Sequence, residues 1–346
     1  MTAAKDKAIK NKALALIKSL GTGAFNPRVL QYASIQNLFL LITLVTYIQS
    51  TAAPSHGLIK LSSASLNSLK DSMPKDPPPL FEDSTQKTQP STHLNYTAPY
   101  TDFPIQVYTL RKALQKDFHS TLLQLSQMGF KSVEWGGGWY GQTPEQTAQA
   151  LKRANLVCVG LHVGLGELKS DIQKVAQQAK TLGAKFVVLP WIPLTERTSL
   201  GAYEKLTRLL ITLADTLAKE QLQLLYHNHD FELNPTRKNT LPLEHMMLWA
   251  KGTQLKFELD IYWVLEANQD PLYFIETYGS QIYALHVKDR DAQGKMVDVG
   301  QGTVHWKTIL ELAYKKGVKY PIIEHDNPVD PLSSAKAGLK YLRQIW

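Results

Sequence analysis

From Phe103 onward, short apolar runs alternate with longer stretches in which the apolar residues have helical spacing. The short runs are rich in β-branched and aliphatic residues and predict strands, whereas the longer stretches predict amphipathic helices. The eight predicted strands are PIQVYT (104–109), KSVEW (131–135), LVCVGLH (156–162), KFVVLP (185–190), LQLLYH (222–227), LKFELD (255–260), QIYALHV (281–287) and YPIIEH (320–325). The predicted helices lie near 112–128, 143–153, 168–182, 199–219, 241–251, 270–278, 306–316 and 332–345.

Local signals mark the ends of several of these helices. Thr143, Asp270 and Asp330 each stand directly before a proline. This order is typical of a capping residue followed by proline at the first helical position. Glycines that favour a left-handed C-cap follow three of the predicted helices: they are Gly129, Gly183 and Gly317.

Eight strand–helix units within residues 103–346 are what a closed (β/α)₈ TIM barrel requires. A doubly wound open sheet would normally show a glycine-rich phosphate loop after its first strand. Here the first strand is followed by YTLRKAL, and the GGG at 136–138 lacks the G-x-G-x-x-G spacing. The pattern therefore predicts an α/β fold of the TIM-barrel type rather than a nucleotide-binding sheet.

The first hundred residues differ in character from this repeating segment. Several lysines precede the apolar run LFLLITLVTYI (38–48), which is followed by small residues. This is the order of a secretory signal, so residues 1–53 are predicted to be an N-terminal extension with a signal-peptide-like segment. Residues 54–102 are rich in Ser, Thr, Pro and Lys and predict a flexible linker. We expect an exported or membrane-anchored protein with transient or permanent membrane contact through 38–48, or a cytoplasmic one if that segment is not functional.

Charge and cysteine content narrow the function classes. The chain has 346 residues and a formal net charge of +8. Residues 1–98 carry 10 basic and 5 acidic residues, which leaves 28 basic and 25 acidic residues, or +3, for residues 99–346. The predicted barrel is thus nearly neutral, and nucleic-acid binding is not expected. Cys158 is the single cysteine, so an intrachain disulfide is excluded.

Polar side chains follow most of the predicted strands. Active sites of TIM barrels lie at the C-terminal ends of the strands. The strand ends carry Glu134, His162, His227 with His229, Asp260, His286 with Lys288 and Asp289, and Glu324 with His325. Asp260, His286 and Glu324 come from consecutive strands, six to eight, whose ends are close enough to share a cation. Two carboxylates and an imidazole suit one divalent metal ion, Mn²⁺, Mg²⁺, Co²⁺ or Zn²⁺.

Several motifs carry a family resemblance. PIQVYTLR, SVEW, LDIYW, HVKDRD, VGQGTVHW and IIEHD together resemble the sugar phosphate isomerase/epimerase superfamily, a group of xylose isomerase-like TIM barrels that includes the AP endonuclease 2-like family. The resemblance spans residues 103–346. It implies metal ligands at the ends of strands five to eight: a Glu, an Asp in LD-x-Y, a His in H-x-K-D and a Glu. Asp260, His286 and Glu324 match the last three.

Strand five departs from the family pattern. Where many relatives read E-N-H, this chain reads His227-Asn228-His229. His227 is predicted to be a metal ligand in place of the glutamate. The alternative is that His227 contacts substrate or a backbone carbonyl and the metal keeps three protein ligands. Either way the site loses a carboxylate, and with it one possible catalytic base.

The positions of these residues at the predicted barrel mouth also suggest catalytic and substrate-binding roles, although His162 could instead be a packed histidine of the barrel mouth. Glu324 is expected to carry the proton, and Lys288 to stabilise an enolate or bind a substrate oxygen, unless it forms a surface salt bridge with Asp289. Glu232 or Glu134 is expected to supply a second base. The predicted substrate contacts are Glu134, His162, His229 and Trp263, with Tyr262, Trp139 and Tyr140 as further candidates for an apolar wall under a sugar ring.

Together these features predict a divalent-metal-dependent isomerase or epimerase that acts on a small-molecule sugar or keto-sugar through a metal-stabilised enediolate. A keto-sugar dehydratase of the inosose dehydratase kind would use the same site and is the second hypothesis. A non-catalytic carbohydrate-binding barrel is the third. A DNA-repair nuclease would need a three-zinc cluster and a basic groove, and the nearly neutral barrel argues against it.

Overall fold

Eight parallel strands close into a barrel in the computed structural model, which describes residues 100–235 and 240–346. The barrel strands are β1 (Ile105–Gln106), β2 (Ser132–Trp135), β3 (Val157–His162), β4 (Phe186–Leu189), β5 (Gln223–His227), β6 (Lys256–Asp260), β7 (Ile282–Val287) and β10 (Tyr320–Ile323). Each strand pairs with its neighbours in the chain, and β1 pairs with β10 to close the barrel. Strands β8 (Asp289–Arg290) and β9 (Met296–Val297) form a separate antiparallel pair. The predicted (β/α)₈ fold is confirmed.

Helices follow the barrel strands and cover the outside of the barrel. They are α1 (Arg111–Lys116), α2 (Phe118–Met128), α3 (Pro144–Arg153), α4 (Leu165–Ser170), α5 (Ile172–Leu182), α6 (Leu200–Lys219), α7 (Pro242–Ala250), α8 (Ile261–Glu266), α9 (Pro271–Tyr278), α10 (Trp306–Lys315) and α11 (Pro331–Ile345). Short 3₁₀ turns occupy Val107–Leu110, Leu194–Glu196 and Gly279–Gln281.

The predicted helix ends are present. Thr143 forms a capping box with Gln146, and Asp270 and Asp330 accept hydrogen bonds from the first turns of their helices. The three predicted C-cap glycines have left-handed backbones, with φ of 99° at residue 129, 77° at 183 and 86° at 317.

Three elements differ from the prediction. Strand 104–109 is reduced to β1, because Gln106 turns the chain into a 3₁₀ helix by accepting a hydrogen bond from Tyr108 N at 3.0 Å. The single helix predicted over 112–128 is two helices, α1 and α2, separated by Asp117. The helix over 168–182 is likewise divided at Asp171. Both aspartates have extended φ values, and each caps the helix that follows it.

The pleat of the strands divides the barrel interior into two levels. Near the starts of the strands, the inward side chains form a small apolar cluster of Val159, Phe186, Val188, Leu225, Ala284 and Ile322. Because side chains two residues apart lie on the same face of a strand, the next inward positions after Leu225, Ala284 and Ile322 are polar: they are His227, His286 and Glu324. The polar residues therefore lie above this apolar cluster, which we call the apolar plug.

The described part of the chain begins inside the predicted linker. Tyr100 is buried, donates a hydrogen bond to the carbonyl of Val318 at 3.0 Å and packs its ring against Trp346. The folded unit thus begins slightly before the predicted boundary at 103. The signal-like segment at 38–48 and the rest of the predicted linker lie outside the described residues. Among the residues that are described, no helix has both the length and the apolar character to cross a membrane.

A buried carboxyl group holds the loop that follows β5. Glu232 lies behind the barrel wall, where it accepts hydrogen bonds from the Tyr226 hydroxyl and from the backbone N–H of His229, the latter at 2.9 Å. Burial raises the pKa of Glu232 to about 8, more than these hydrogen bonds lower it. The loop that carries His227 and His229 is thus fixed from outside the barrel.

Gly160 tests the packing inside the barrel. A Cβ added there would overlap the ring of Phe186 and come within 2.9 Å of Glu134 Oε1. We therefore expect Gly160→Ala to lower the free energy of unfolding by about 1–3 kcal/mol in urea denaturation followed by circular dichroism. Gly166→Ala is the control, because an added Cβ on α4 meets no described atom within 4 Å. This control should leave stability unchanged or raise it by up to ~1 kcal/mol. Equal losses in both variants would contradict the packing argument.

The raised pKa of Glu232 predicts a pH-dependent stability. Its pKa is about 8 in the folded protein against 4.5 as the ordinary value, so the folded state retains a proton that the unfolded state loses. This contribution is complete below pH 4.5 and disappears as the pH rises through 8, with a slope of up to about 1.4 kcal/mol per pH unit between them. Glu232→Gln removes the titrating group, so its unfolding free energy should fall less over this range than that of the wild type.

Chemical denaturation at a series of pH values measures this slope. Glu244→Gln is the matched control, since Glu244 lies on α7 and accepts hydrogen bonds from Tyr273 and Tyr278 on the outer surface. It should keep the wild-type slope. A Glu232→Gln slope equal to that of the wild type would show that the carboxyl group is ionised in the folded protein.

Candidate active site

Carboxylates and imidazoles converge at the C-terminal end of the barrel in two overlapping groups. We call Glu134, His162, Glu258 and His286 the deep cluster, and His227, Asp260 and His286 the mouth cluster. In each cluster the candidate ligand atoms lie within 4.8 Å of one another. All these residues are buried except His162, which is partly exposed. The strand ends singled out in the sequence thus meet in one place.

His286 joins the two clusters through its two ring nitrogens. Nε2 lies 2.9 Å from Glu134 Oε2 and 3.2 Å from Glu258 Oε2. Nδ1 lies 2.7 Å from Glu324 Oε2 and 3.7 Å from Asp260 Oδ2. Burial alone would lower the pKa of His286, but the surrounding carboxylates raise it well above its ordinary value.

The structure brings His227 to the predicted ligands. Its Nε2 is 3.7 Å from Asp260 Oδ2, its Nδ1 is 3.4 Å from Glu258 Oε2, and its ring centroid is 4.6 Å from that of His286. Burial and the neighbouring His286 hold the pKa of His227 well below its ordinary value. A neutral imidazole has a free nitrogen lone pair, which is the form that binds metal.

Lys288 is the main positive charge of the site. Its Nζ lies 2.9 Å from Asp260 Oδ2, 2.9 Å from Glu324 Oε2 and 2.8 Å from Asp326 Oδ1. Burial would lower the pKa of Lys288, but these carboxylates raise it well above its ordinary value, so the side chain stays charged. The same charge, with His286, keeps the pKa of Glu324 well below its usual range despite burial.

The alternative of a surface salt bridge between Lys288 and Asp289 is wrong. The two side chains point to opposite faces, as the alternation of neighbouring residues along a strand requires. Asp289 accepts backbone hydrogen bonds from Gly300 at 2.9 Å and from Gly302 and Val304 at 3.3 Å. It therefore shapes the turn before α10, whereas Lys288 lies inside the barrel.

Glu134 occupies a deeper level than predicted. It was expected to contact substrate, but it is fully buried and does not line the cavity above the site. Its Oε2 accepts a hydrogen bond from Gln106 Nε2 at 2.6 Å and lies 3.0 Å from His162 Nε2. Burial would raise the pKa of Glu134, but His162 and His286 together hold it well below the usual range.

Glu258 is a functional-site residue that the sequence analysis missed. It is fully buried on β6, two residues before Asp260, and its Oε2 is surrounded by ring nitrogens of His162, His227 and His286 at 3.2–3.4 Å. Burial and the charge of Glu134 raise its pKa to about 7. The signal was the two-residue spacing in KFELD, which places Glu258 and Asp260 on the same face.

Register shifts accompany both deep glutamates. The pairing of β2 with β3 shifts between Val133 and Glu134, and the pairing of β6 with β7 shifts between Phe257 and Glu258. Such irregularities commonly redirect side chains beside active sites. Both shifts occur where the interior changes from the apolar plug to the deep cluster.

The remaining predicted residues lie in different places. His162 and His229 line the cavity, and burial lowers the pKa of His229 to about 4. Trp263 packs against the His229 ring at 5.2 Å but does not itself line the cavity. Glu232 does not reach the site, because it is bonded to Tyr226 behind the barrel wall. Its placement argues against the predicted role as a second base.

A cavity of about 570 Å³ opens above the clusters. It is lined by Tyr108, Trp135, Gly137, Gly138, Trp139, Leu161, His162, Val163, Gly164, Glu167, Gln178, Pro190, Trp191, His227, His229, Lys288, Glu324, Asp326 and Asn327. Trp191, which the sequence analysis did not single out, is half exposed at its rim. The volume lies within the range of small-molecule sites.

The donor set fits a divalent cation. In the described part of the chain, both oxygens of Glu258 and His227 Nδ1 are buried without a hydrogen-bond partner, whereas Asp260 Oδ2 and Glu324 Oε2 contact Lys288 and the neighbouring imidazoles. Buried polar atoms normally have partners, and oxygen and imidazole donors in this mixture suit Mn²⁺, Zn²⁺ and related ions.

Comparison with solved structures supports the fold. A sugar phosphate isomerase/epimerase from Parabacteroides distasonis has a TM-score of 0.60 at 22% identity, covering 72% of this chain and 95% of that one. The probable 3-DHS dehydratase of petrobactin synthesis from Bacillus anthracis has a TM-score of 0.55 at 15% identity, covering 70% and 98%. The 3-keto-D-glucoside 4-epimerase from E. coli has a TM-score of 0.53 at 16% identity, covering 66% and 95%.

A search of curated proteins finds no match to the sequence. The family model described as xylose isomerase-like TIM barrel matches residues 122–345, which is more than half of the chain and includes seven of the eight barrel strands. The closed barrel, its site at the C-terminal strand ends and this match agree. The chain belongs to the xylose isomerase-like TIM barrel family.

Proposed function

We propose that this protein is a divalent-metal-dependent isomerase or epimerase of sugars or keto-sugars. The observation that carries the proposal is the mouth cluster of His227, Asp260 and His286 at the C-terminal end of the barrel, with Glu324 Oε2 2.7 Å from His286 Nδ1 and facing the cavity. Structural neighbours with isomerase, epimerase and dehydratase activities support the reaction class.

His227, Asp260, His286 and Glu324 would hold the cation. When bound, it would polarise adjacent carbonyl and hydroxyl oxygens of the substrate and so make the neighbouring C–H bond more acidic. Glu324 lines the cavity and would move the proton, and Lys288 would stabilise negative charge on a substrate oxygen. His229, neutral at physiological pH, would accept a hydrogen bond from a hydroxyl group.

One-base chemistry fits the residues better than two-base chemistry. Of the two glutamates considered as a second base, Glu134 lies below the cavity and Glu232 lies behind the barrel wall. Isomerisation can be carried out by a single base that returns the proton to the adjacent carbon. Epimerisation would need a second proton donor on the other face of the substrate, for which His162 is the candidate at the cavity.

Dehydration is the second candidate, because His162 also suits that reaction. Burial would lower the pKa of His162, but Glu134 and Glu258 raise it to about 9. A protonated imidazole beside the cavity can donate a proton to a departing hydroxyl group. The same residues would then expel water after the first proton transfer instead of moving the proton along the chain.

The cavity lining supports a neutral, unphosphorylated carbohydrate as substrate. Lys288 is the single Lys or Arg among the described lining residues, and three carboxylates already contact it. Arg111, near the rim, donates a hydrogen bond to Asn327 and lies over the Tyr108 ring. Trp139 and Trp191 offer apolar faces on which a sugar ring can rest.

Metal dependence and Glu324 test the reaction. We expect the metal-depleted full-length protein to lose solvent exchange of substrate C–H in ²H₂O, and added Mn²⁺ to restore it. Glu324→Gln should lower the exchange rate by about 10²–10⁴-fold, since general-base catalysis contributes on that order. NMR of a ketose and keto-glycoside panel measures exchange, and mass spectrometry separates isomers from products that have lost water.

Glu244→Gln is the control for this experiment and should retain the wild-type rate, because Glu244 lies on the outer helix α7. Metal-independent exchange, or full activity of Glu324→Gln, would contradict the proposed mechanism. No exchange with any substrate despite bound metal and sugar would favour the carbohydrate-binding barrel.

Substrate charge is tested by comparing a neutral sugar with its phosphate ester. We expect the neutral compound to bind at least about tenfold more tightly in titration calorimetry, because the one ammonium group at the cavity, that of Lys288, is already paired with three carboxylates. Trp191→Ala should weaken binding of the neutral sugar, whereas Trp249→Ala, on the outer helix α7, should not. Preferential binding of the phosphate ester would overturn this assignment.

A further inference from the structure

Two members of the deep cluster, Glu134 and Glu258, lie below the mouth cluster and have no role in the proposed function. Glu134 and Glu258 are fully buried, and they face each other around His162 and His286. Of the deep residues, only His162 lines the cavity. Two carboxylates at the bottom of a protein cleft are costly to bury unless a positive charge compensates them.

The distances in the deep cluster match those between ligands of one metal ion. Glu134 Oε2 is 3.0 Å from His162 Nε2, and Glu258 Oε2 is 3.3 Å from the same nitrogen. Metal–ligand bonds of about 2.0–2.2 Å give neighbouring ligand atoms roughly 2.8–3.6 Å apart in octahedral or tetrahedral geometry. The mouth cluster is looser, since Asp260 Oδ2 is 3.7 Å from both of its histidines.

Unpartnered atoms point into the deep cluster. Within the described residues, neither oxygen of Glu258 meets the geometry of a hydrogen bond, although both are fully buried. Glu134 Oε1 and His162 Nε2 are also without partners. These are the donor types that first-row divalent cations prefer.

Carboxylates outnumber the permanently charged cationic side chains at this end of the barrel. Five carboxylates meet at this end of the barrel: Glu134, Glu258, Asp260, Glu324 and Asp326. Lys288 is the one ammonium group that contacts them in the described structure, which leaves a formal charge of −5 plus 1, or −4, before His162 and His286 are protonated. The carboxylates raise the pKa of both histidines, and cations bound at the two clusters would take the place of those protons.

We propose that Glu134, His162 and Glu258 form a second divalent-cation site, directly below the cation of the mouth cluster. His286 serves both sites without bridging them: its Nδ1 faces the mouth cluster, and its Nε2 donates a hydrogen bond to the deep carboxylates. A carboxylate that holds the far nitrogen of a metal-binding histidine is a common arrangement.

The deep site goes beyond the proposed function and bears on its reaction: His162 Nε2, when it binds this cation, cannot also hold a proton, which leaves isomerisation with Glu324 as the single base. Its cation would neutralise Glu134 and Glu258 and would fix the ring of His162 beside the substrate. It would therefore act through charge and positioning and would not contact the reacting atoms. A mixed oxygen and nitrogen set of this kind suits Mn²⁺ or Zn²⁺.

Metal content of the full-length protein tests the proposal. After equilibration with Mn²⁺ and gel filtration, we expect inductively coupled plasma mass spectrometry to find two equivalents of metal per wild-type chain. Glu258→Gln should lose one equivalent and Asp260→Asn the other, because each removes a carboxylate from a different site. Glu244→Gln, a matched substitution on α7, should retain both.

The outcomes separate the two proposals. A single equivalent that Asp260→Asn removes and Glu258→Gln retains would overturn the deep site and leave the proposed function standing. A single equivalent that Glu258→Gln removes and Asp260→Asn retains would support the deep site and overturn the mouth site. Wild-type protein that binds no metal would overturn both.

Anomalous diffraction from wild-type crystals soaked in Mn²⁺ gives an answer that does not require any variant to fold. We expect two anomalous peaks, one of them among Glu134 Oε2, His162 Nε2 and Glu258 Oε2. A peak at the mouth cluster without one at these atoms would overturn the second site.

Discussion

The concentration of negative charge at one end of the barrel constrains much of what surrounds it. Glu134, Glu258, Asp260 and Glu324 are all buried there, and isolated carboxylates would be very unfavourable in that environment. Lys288 extends among the upper carboxylates, and three imidazoles stand between the upper and lower ones. The apolar plug beneath them closes the barrel to water, so compensation must come from protein groups or from bound cations. The balance of charge among these groups thus determines which of them are protonated and whether cations bind.

The fold could be predicted from the sequence because its signals are local. Alternating apolar runs gave eight strands, and caps such as Thr143 and Asp330 gave helix starts. The errors were also local. Asp117 and Asp171 each start a new helix where the hydrophobic pattern alone appeared continuous, because a capping side chain interrupts the backbone without interrupting the apolar face.

The sequence predicts at which end of the barrel the site lies, but not how far below the mouth each side chain is placed. Residues at strand ends were expected at the mouth, and His227, Asp260 and His286 do meet there. The position of a side chain along the barrel axis depends on the register of its strand, and that register is set by pairing with strands that are distant in the sequence. The pairing shifts at Glu134 and Glu258 accompany the placement of these two side chains below the mouth, where Glu134 was not expected and Glu258 was overlooked. The placement of Glu232 could not be predicted for a different reason: it lies in a loop, where side chains do not alternate between two faces as they do in a strand.

Lys288 and Asp289 are adjacent in the chain but serve opposite sides of the barrel wall. The lysine ties together three carboxylates inside, and the aspartate holds the backbone of the turn at Gly300 and Gly302 outside. Because one short length of backbone carries both side chains, the turn cannot be displaced without moving the ammonium group. A substitution in this turn would therefore also disturb the charge balance inside the barrel, although the turn itself carries none of the candidate metal ligands.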